Sequence, residues 1–152
     1  APTGIFSFPI PDLPPTKKLV DLGKSYGVTC ARENVARCTS RSLSFLQEMQ
    51  QKMGDDAKFV LDIKQAVRSK EDPMQMLKTL GSGVVHVHMS DHGEYGDCLQ
   101  IGAGRFAVKS FLQTLAQLSP NCTIVLELYR SGFRTLQDLL HNDHILQRMI
   151  QS

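Results

Sequence analysis

The chain has 152 residues, 41% of them hydrophobic and 21% charged, the composition of one ordinary soluble globular domain. Its formal net charge of +2 comes from scattered basic residues that form no run, which argues against nucleic acid as a partner. No apolar stretch approaches the ~18 residues of a membrane span, and the first residues lack the charged-then-apolar pattern of a signal peptide, so a soluble, cytoplasmic protein with no membrane partner is expected.

Short β-rich runs alternate with helical runs along the chain. Residues 4–9 (GIFSFP) predict a strand, followed by a proline-rich turn over 9–15. Residues 16–26 have helical spacing, with Leu19, Val20 and Leu22 on one side and lysines on the other, and Gly27 stops the helix. Residues 28–35 (VTCARENV) predict a strand that ends in charge, and 40–53 an amphipathic helix burying Leu43, Leu46, Met49 and Met53 before Gly54. The phrase then repeats. Residues 58–63 (KFVLDI) predict a strand, and Asp72 and Pro73 open a helix that runs to Leu80 and stops at Gly81. Residues 84–91 (VVHVHMSD) predict a strand, 92–104 a glycine-rich loop, 106–118 a helix, 123–129 (TIVLELY) a strand, and 136–150 a last helix.

Five strand–helix units at this spacing imply an α/β fold with parallel strands joined by right-handed crossovers. Strands apolar on both faces suit a sheet with helices on one side and a filled interior on the other. Cys30, Cys38, Cys98 and Cys122 form no CxxC pair, so neither a structural zinc site nor a disulfide framework is expected.

The informative feature is where polar residues fall. Glu33, Asp62, His88 and Glu127 each close an apolar or small stretch at a strand end, and Ala31, Val60, His86 and Val125 stand two residues before them. A side-chain period of two puts each pair on one face. If that face is a barrel interior, all four polar groups gather at the C-terminal rim, where (β/α) barrels build active sites. One such residue is a solvated strand end; four at the same point of consecutive units point to convergence. Three gathered carboxylates would repel one another, and a divalent cation removes that cost. Three oxygen donors with one imidazole suit Mn²⁺, with Mg²⁺, Co²⁺ or Zn²⁺ as alternatives, and not a soft thiolate site.

The phrases ARENV, FVLDI, HVHMSD with the following IGAGR, and TIVLELY, in this order and spacing, resemble the xylose isomerase-like TIM barrels, the sugar phosphate isomerases and epimerases to which endonuclease IV is more distantly related. The resemblance implies a partial barrel domain over residues 1–152, about five of eight βα units, corresponding to the C-terminal part of the family fold. It implies one metal ion, usually manganese, held by Glu33, Asp62, His88 and Glu127. It also implies an enzyme of carbohydrate metabolism acting on a small sugar or sugar phosphate, in which Glu33 and Glu127 remove and return a proton beside a carbonyl through an enediolate-like intermediate. Gln65, His86, His92, Asp97 and Arg105 are the candidate substrate contacts, with His86 alternatively a barrel-interior residue below the site, His92 and Asp97 on the loop over the rim, and Arg105 alternatively a plain surface residue; Asp91 is expected to order that loop through backbone hydrogen bonds.

Three departures from the family pattern stand out. Gln65 replaces a histidine, Ala103 replaces the glutamate of a Gly-Glu-Gly loop, and Glu94 stands where an epimerase arginine would fall. These changes, with the short length, keep open a truncated, non-catalytic metal- or sugar-binding remnant of the same fold. Inosose dehydration is a close variant of the chemistry. A DNA repair endonuclease is disfavoured by the small number of histidines near the rim. Five parallel strands cannot close into a barrel, so self-association or association with the missing N-terminal part is expected, with weak or no catalysis by the chain alone.

Overall fold

In the computed structural model, backbone is described for residues 5–7, 13–94 and 96–151, and side chains for residues 16–94 and 96–151. The alternation of strands and helices produces a single parallel sheet, with strands β1 (Ile5–Ser7), β2 (Thr29–Glu33), β3 (Phe59–Asp62), β4 (Val84–Met89) and β7 (Thr123–Leu126) side by side in that order. All four pairings are parallel. The crossovers are α1 (Leu13–Ser25), α2 (Leu43–Met53), the pair α3 (Ile63–Arg68) and α4 (Pro73–Leu80), and α5 (Val108–Leu118); α6 (Leu136–Gln151) follows the last strand. A small antiparallel hairpin, β5 (Asp91–Gly93) with β6 (Gly96–Leu99), is inserted after β4. No helix among the described residues is long and apolar enough to cross a membrane.

The two faces of the sheet are chemically distinct. Phe59, Leu61, Val87, Met89, Ile124 and Leu126 point to the helices and join one core with Leu46, Met49, Met76, Leu77, Phe111 and Leu115. The alternate residues, Val60, His86 and Val125 among them, face the other way. Val125 is 43% exposed, so nothing among the described residues covers that face at β7. All four cysteines are free.

Several element boundaries depart from the sequence reading for identifiable reasons. α1 begins at Leu13, inside the expected proline-rich turn, because the first turn of a helix needs no backbone N–H from Pro14 or Pro15; residues 8–12, the rest of that turn, lie outside the described residues. α2 begins at Leu43 rather than at residue 40, since the Ser42 side chain accepts the Phe45 N–H and fixes the helix start there. The segment between the third strand and α4 carries a helix, α3, that the sequence reading left unassigned. The expected glycine-rich loop contains the β5–β6 hairpin.

Candidate metal centre

Register decides which side chains can meet. Glu33 stands opposite Val60, Asp62 opposite His88, and His88 opposite Val125. Each step from one polar residue to the next strand's is therefore zero or two residues, so Glu33, Asp62, His88 and Glu127 share a face despite the stagger of the strands. Glu127 lies one residue past β7, and its N–H donates to the Met89 carbonyl at 2.9 Å, continuing the ladder to the rim.

Asn34 locks the first two positions together. Its buried amide donates to the Asp62 carbonyl at 2.9 Å and accepts the Asp62 N–H at 2.7 Å. The side chain thus acts as one more peptide unit between β2 and β3 just where β2 ends. Asp62 is also the N-cap of α3, where its Oδ1 accepts the Gln65 N–H at 3.0 Å. That leaves Oδ2 buried, without a hydrogen-bond partner, and aimed at the rim.

Ligand atoms of Glu33, Asp62 and His88 all lie within 4.8 Å of one another. His88 Nδ1 is 3.8 Å from Glu33 Oε1, 3.6 Å from Asp62 Oδ2 and 3.2 Å from Glu127 Oε2. The 3.2 Å approach lacks the alignment of a hydrogen bond, so His88 Nδ1 and Glu127 Oε2 are also buried without partners. Three buried polar atoms without hydrogen-bond partners at one place, two carboxylate oxygens and one imidazole nitrogen, are what a cation coordinated by these residues would use, and their cost without one is the desolvation of each group. The residues present therefore fit a divalent ion with oxygen and imidazole donors.

A lysine stands in the same site. Lys64 is 5% exposed, and its ammonium lies 2.5 Å from Glu127 Oε1 and 3.4 Å from Asp62 Oδ2. It also sits 5.4 Å from the centre of the Tyr129 ring. Sequence reasoning missed this residue. A signal was present: Asp62 followed three positions later by Gln65 has capping-box spacing, which starts a helix at once and turns residue 64 back over the strand end.

The charges shape one another. The carboxylates of Asp62 and Glu127 lift the His88 imidazolium to about 9, against the opposing effect of burial. His88 first, and Lys64 after it, together outweigh the opposing effect of burial, and the Glu127 carboxyl drops to about 2. Burial pulls Lys64 down, but its bond to Glu127 and the charges of Asp62 and Glu127 outweigh it, and the net shift is upward.

The other sequence candidates are placed as follows. His86 lies one step below His88, with ring centroids 5.2 Å apart, and its Nδ1 is 2.6 Å from the Thr123 hydroxyl. Gln65 uses its side-chain carbonyl to accept the Ala36 N–H at 3.0 Å, tying α3 to the loop after β2. His92 packs on Phe106 at 5.1 Å. Asp97 takes a bidentate contact from Arg68 at 2.6 and 2.9 Å, and that guanidinium lies 5.3 Å from the Tyr129 ring centre. Arg105 pairs with Glu94 at 2.7 Å on the surface. His86 thus adjoins the cluster, whereas the described side-chain polar contacts of Gln65, Asp97 and Arg105 are made with protein groups outside the four-residue set.

Asp91 orders the loop between β4 and α5 through backbone hydrogen bonds, as expected. Its Oδ1 accepts from His92 and Phe106 at 2.7 and 3.0 Å, and its Oδ2 from Gly102 and Gly104 at 2.9 and 3.0 Å. A side chain at Gly104 would collide with Asp91 and with the His92 carbonyl, so the loop needs glycine there.

Neither a protein-family model nor a curated protein sequence matches the chain. Solved structures do match it in fold. The IolI protein with a bound zinc atom superposes with a TM-score of 0.69 at 18% identity, over 89% of this chain and 54% of that one. A sugar phosphate isomerase/epimerase from Parabacteroides distasonis gives 0.67 at 13% identity, over 95% and 59%. The D-psicose 3-epimerase of Clostridium cellulolyticum, crystallised with D-tagatose, gives 0.64 at 14%, over 97% and 63%. The fold is that of part of a TIM barrel, and the chain spans 54–63% of the length of these three structures.

Proposed function

We propose that this chain carries the metal-holding rim of a divalent-metal-dependent sugar or sugar-phosphate isomerase or epimerase. The observation that supports this reading is the convergence of Glu33, Asp62 and His88 within 4.8 Å, with the buried Asp62 Oδ2 unsatisfied and Glu127 Oε2 at 3.2 Å from the same imidazole. These four side chains would hold the ion, and three oxygen donors with one nitrogen favour Mn²⁺ over softer metals. When bound, the ion supplies Lewis-acid stabilisation of negative charge developing on a substrate oxygen. The protein's own part is proton movement and positioning. Glu33 and Glu127 come from strands separated by β3 and β4, so they can flank a substrate carbon and serve as the pair that removes and returns its proton. Lys64 and Tyr129 form the wall beside Glu127.

A second reading, a metal- or sugar-binding module without turnover, is favoured by one fact: Gln65 stands where the resembled family has a histidine, and its side-chain carbonyl is taken by the Ala36 N–H. Under either reading residues 1–152 form one partial barrel domain, and a second copy or a separate barrel segment would flank β1 and β7. Mn²⁺ titration by calorimetry, followed by solvent deuterium exchange into fructose, tagatose or an inosose, tests both. Metal binding with exchange supports the isomerase. Metal binding without exchange leaves the binding module. Absence of Mn²⁺ binding sinks the isomerase and the metal-binding module and leaves only a sugar-binding one.

A further inference from the structure

A buried lysine inside a ring of metal-ligand carboxylates calls for an explanation that the catalytic reading does not supply. Three carboxylates meet at the rim, and the Lys64 ammonium touches two of them, at 2.5 Å from Glu127 and 3.4 Å from Asp62. Ordering a lysine side chain and stripping its water is costly, so the pairing must answer a comparable cost, and gathered anions are the obvious one. The ammonium also occupies one specific oxygen. Glu127 gives Oε1 to Lys64 and keeps Oε2, on the side of His88, without a partner.

We infer that Lys64 is a resident cation of this centre, which neutralises part of the acidic cluster while the metal is absent and limits Glu127 to a single oxygen for the ion. The inference rests on the metal-centre reading above and adds a consequence to it: a divalent ion enters against a fixed positive charge. Its affinity is therefore lower than the four side chains alone would give, and the site remains foldable when empty. Lys64 is on this account a positioning residue for Glu127. Two like-signed charges this close, partly shielded from water, oppose each other strongly enough to change binding by an order of magnitude or more.

The test is Mn²⁺ titration by calorimetry on the protein and on Lys64→Met, which keeps the length of the side chain and removes its charge, with thermal unfolding of both in chelator. The Met variant is expected to bind Mn²⁺ roughly tenfold more tightly or better, while its metal-free form unfolds at a lower temperature. A lysine that merely packs would move affinity and stability downward together. Lys64→Arg, which retains the charge, should not gain affinity. If the Met variant binds Mn²⁺ no more tightly than the unaltered protein, the inference is overturned and the metal centre stands. If neither binds Mn²⁺, the metal-centre reading and this inference fall together. Should the Met variant not fold in chelator, refolding with Mn²⁺ decides: recovery by the ion supports replacement of the ammonium, and failure to recover overturns it.

Discussion

Two aspartates, each 1% exposed and each at or just past a strand end, divide the molecule into a region built to be complete and a region built to receive something. Asp91 has its oxygens filled by four backbone N–H groups, from His92, Gly102, Gly104 and Phe106. Asp62 has one oxygen filled by the Gln65 N–H, while the other faces the rim without a hydrogen-bond partner, 3.4 Å from the Lys64 ammonium and 3.6 Å from His88 Nδ1. The residue type, burial and position are the same. What separates them is the spare lone pair, and a buried acceptor left unsatisfied beside two further ligands is a better mark of a site than the presence of acid alone.

This contrast predicts opposite outcomes for two substitutions. Asp91→Ala should lose about 4 kcal/mol of unfolding free energy, because four N–H groups of one loop lose a charged acceptor together. Asp62→Asn keeps a competent helix cap, so the metal-free protein should lose only about 1 kcal/mol, whereas Mn²⁺ affinity should fall by roughly a hundredfold as an anionic ligand is lost. Urea denaturation and calorimetric titration of both variants check this. Equal losses of stability would break the contrast. An intermediate case sharpens it: Asn34→Ala strands the Asp62 N–H and C=O, and should cost about 2 kcal/mol. Because Asn34 also fixes β2 against β3, this variant should weaken Mn²⁺ binding as well. An unchanged Mn²⁺ affinity would mean that the spacing of Glu33 and Asp62 is set elsewhere.

The filled and unfilled regions were not equally legible in the sequence. Glu33, Asp62, His88 and Glu127 could be picked out because each ends a run of apolar or small residues, and the strand period ties each to the residue two before it. The register later shows that the parity survives the stagger between strands. Asp91 could be assigned to its loop because a short acid before glycines has backbone donors nearby. Lys64 could not be found by periodicity. Its partner Glu127 is 63 residues away, and a lysine two places beyond a strand normally faces water. Its burial depends on α3 starting immediately at Asp62, and that helix has only six residues. His92, Asp97 and Arg105 show the converse difficulty. Proximity to the rim along the chain says nothing of direction, and Phe106, Arg68 and Glu94 are where their side chains go.

The smallest expected effect bears on the same comparison, because it arises in the unfilled region. In the metal-free protein His88 is raised from its ordinary 6.5 to about 9. A group raised on folding contributes stability that is complete below its unfolded value and disappears as pH climbs through the folded one, so this contribution is whole below 6.5 and lost toward 9. Glu127, lowered from 4.5 to about 2, behaves in the opposite sense: its contribution is whole above 4.5 and lost as pH falls toward 2. The pair therefore stabilises the empty site most between those limits, by an amount on the order of 1 kcal/mol once solvent screening of the 40%-exposed Glu127 side chain is allowed for. Mn²⁺ should reverse the alkaline limb. Binding to His88 requires the neutral imidazole, so affinity rises with pH over the interval in which the metal-free protein loses stability. Thermal unfolding at several values from about pH 5.5 to about pH 8.5, with and without Mn²⁺, reads both limbs. His88→Gln should flatten the metal-free alkaline decline and abolish its rescue by the ion. A decline that persists unchanged in that variant would place its origin outside the four-residue centre.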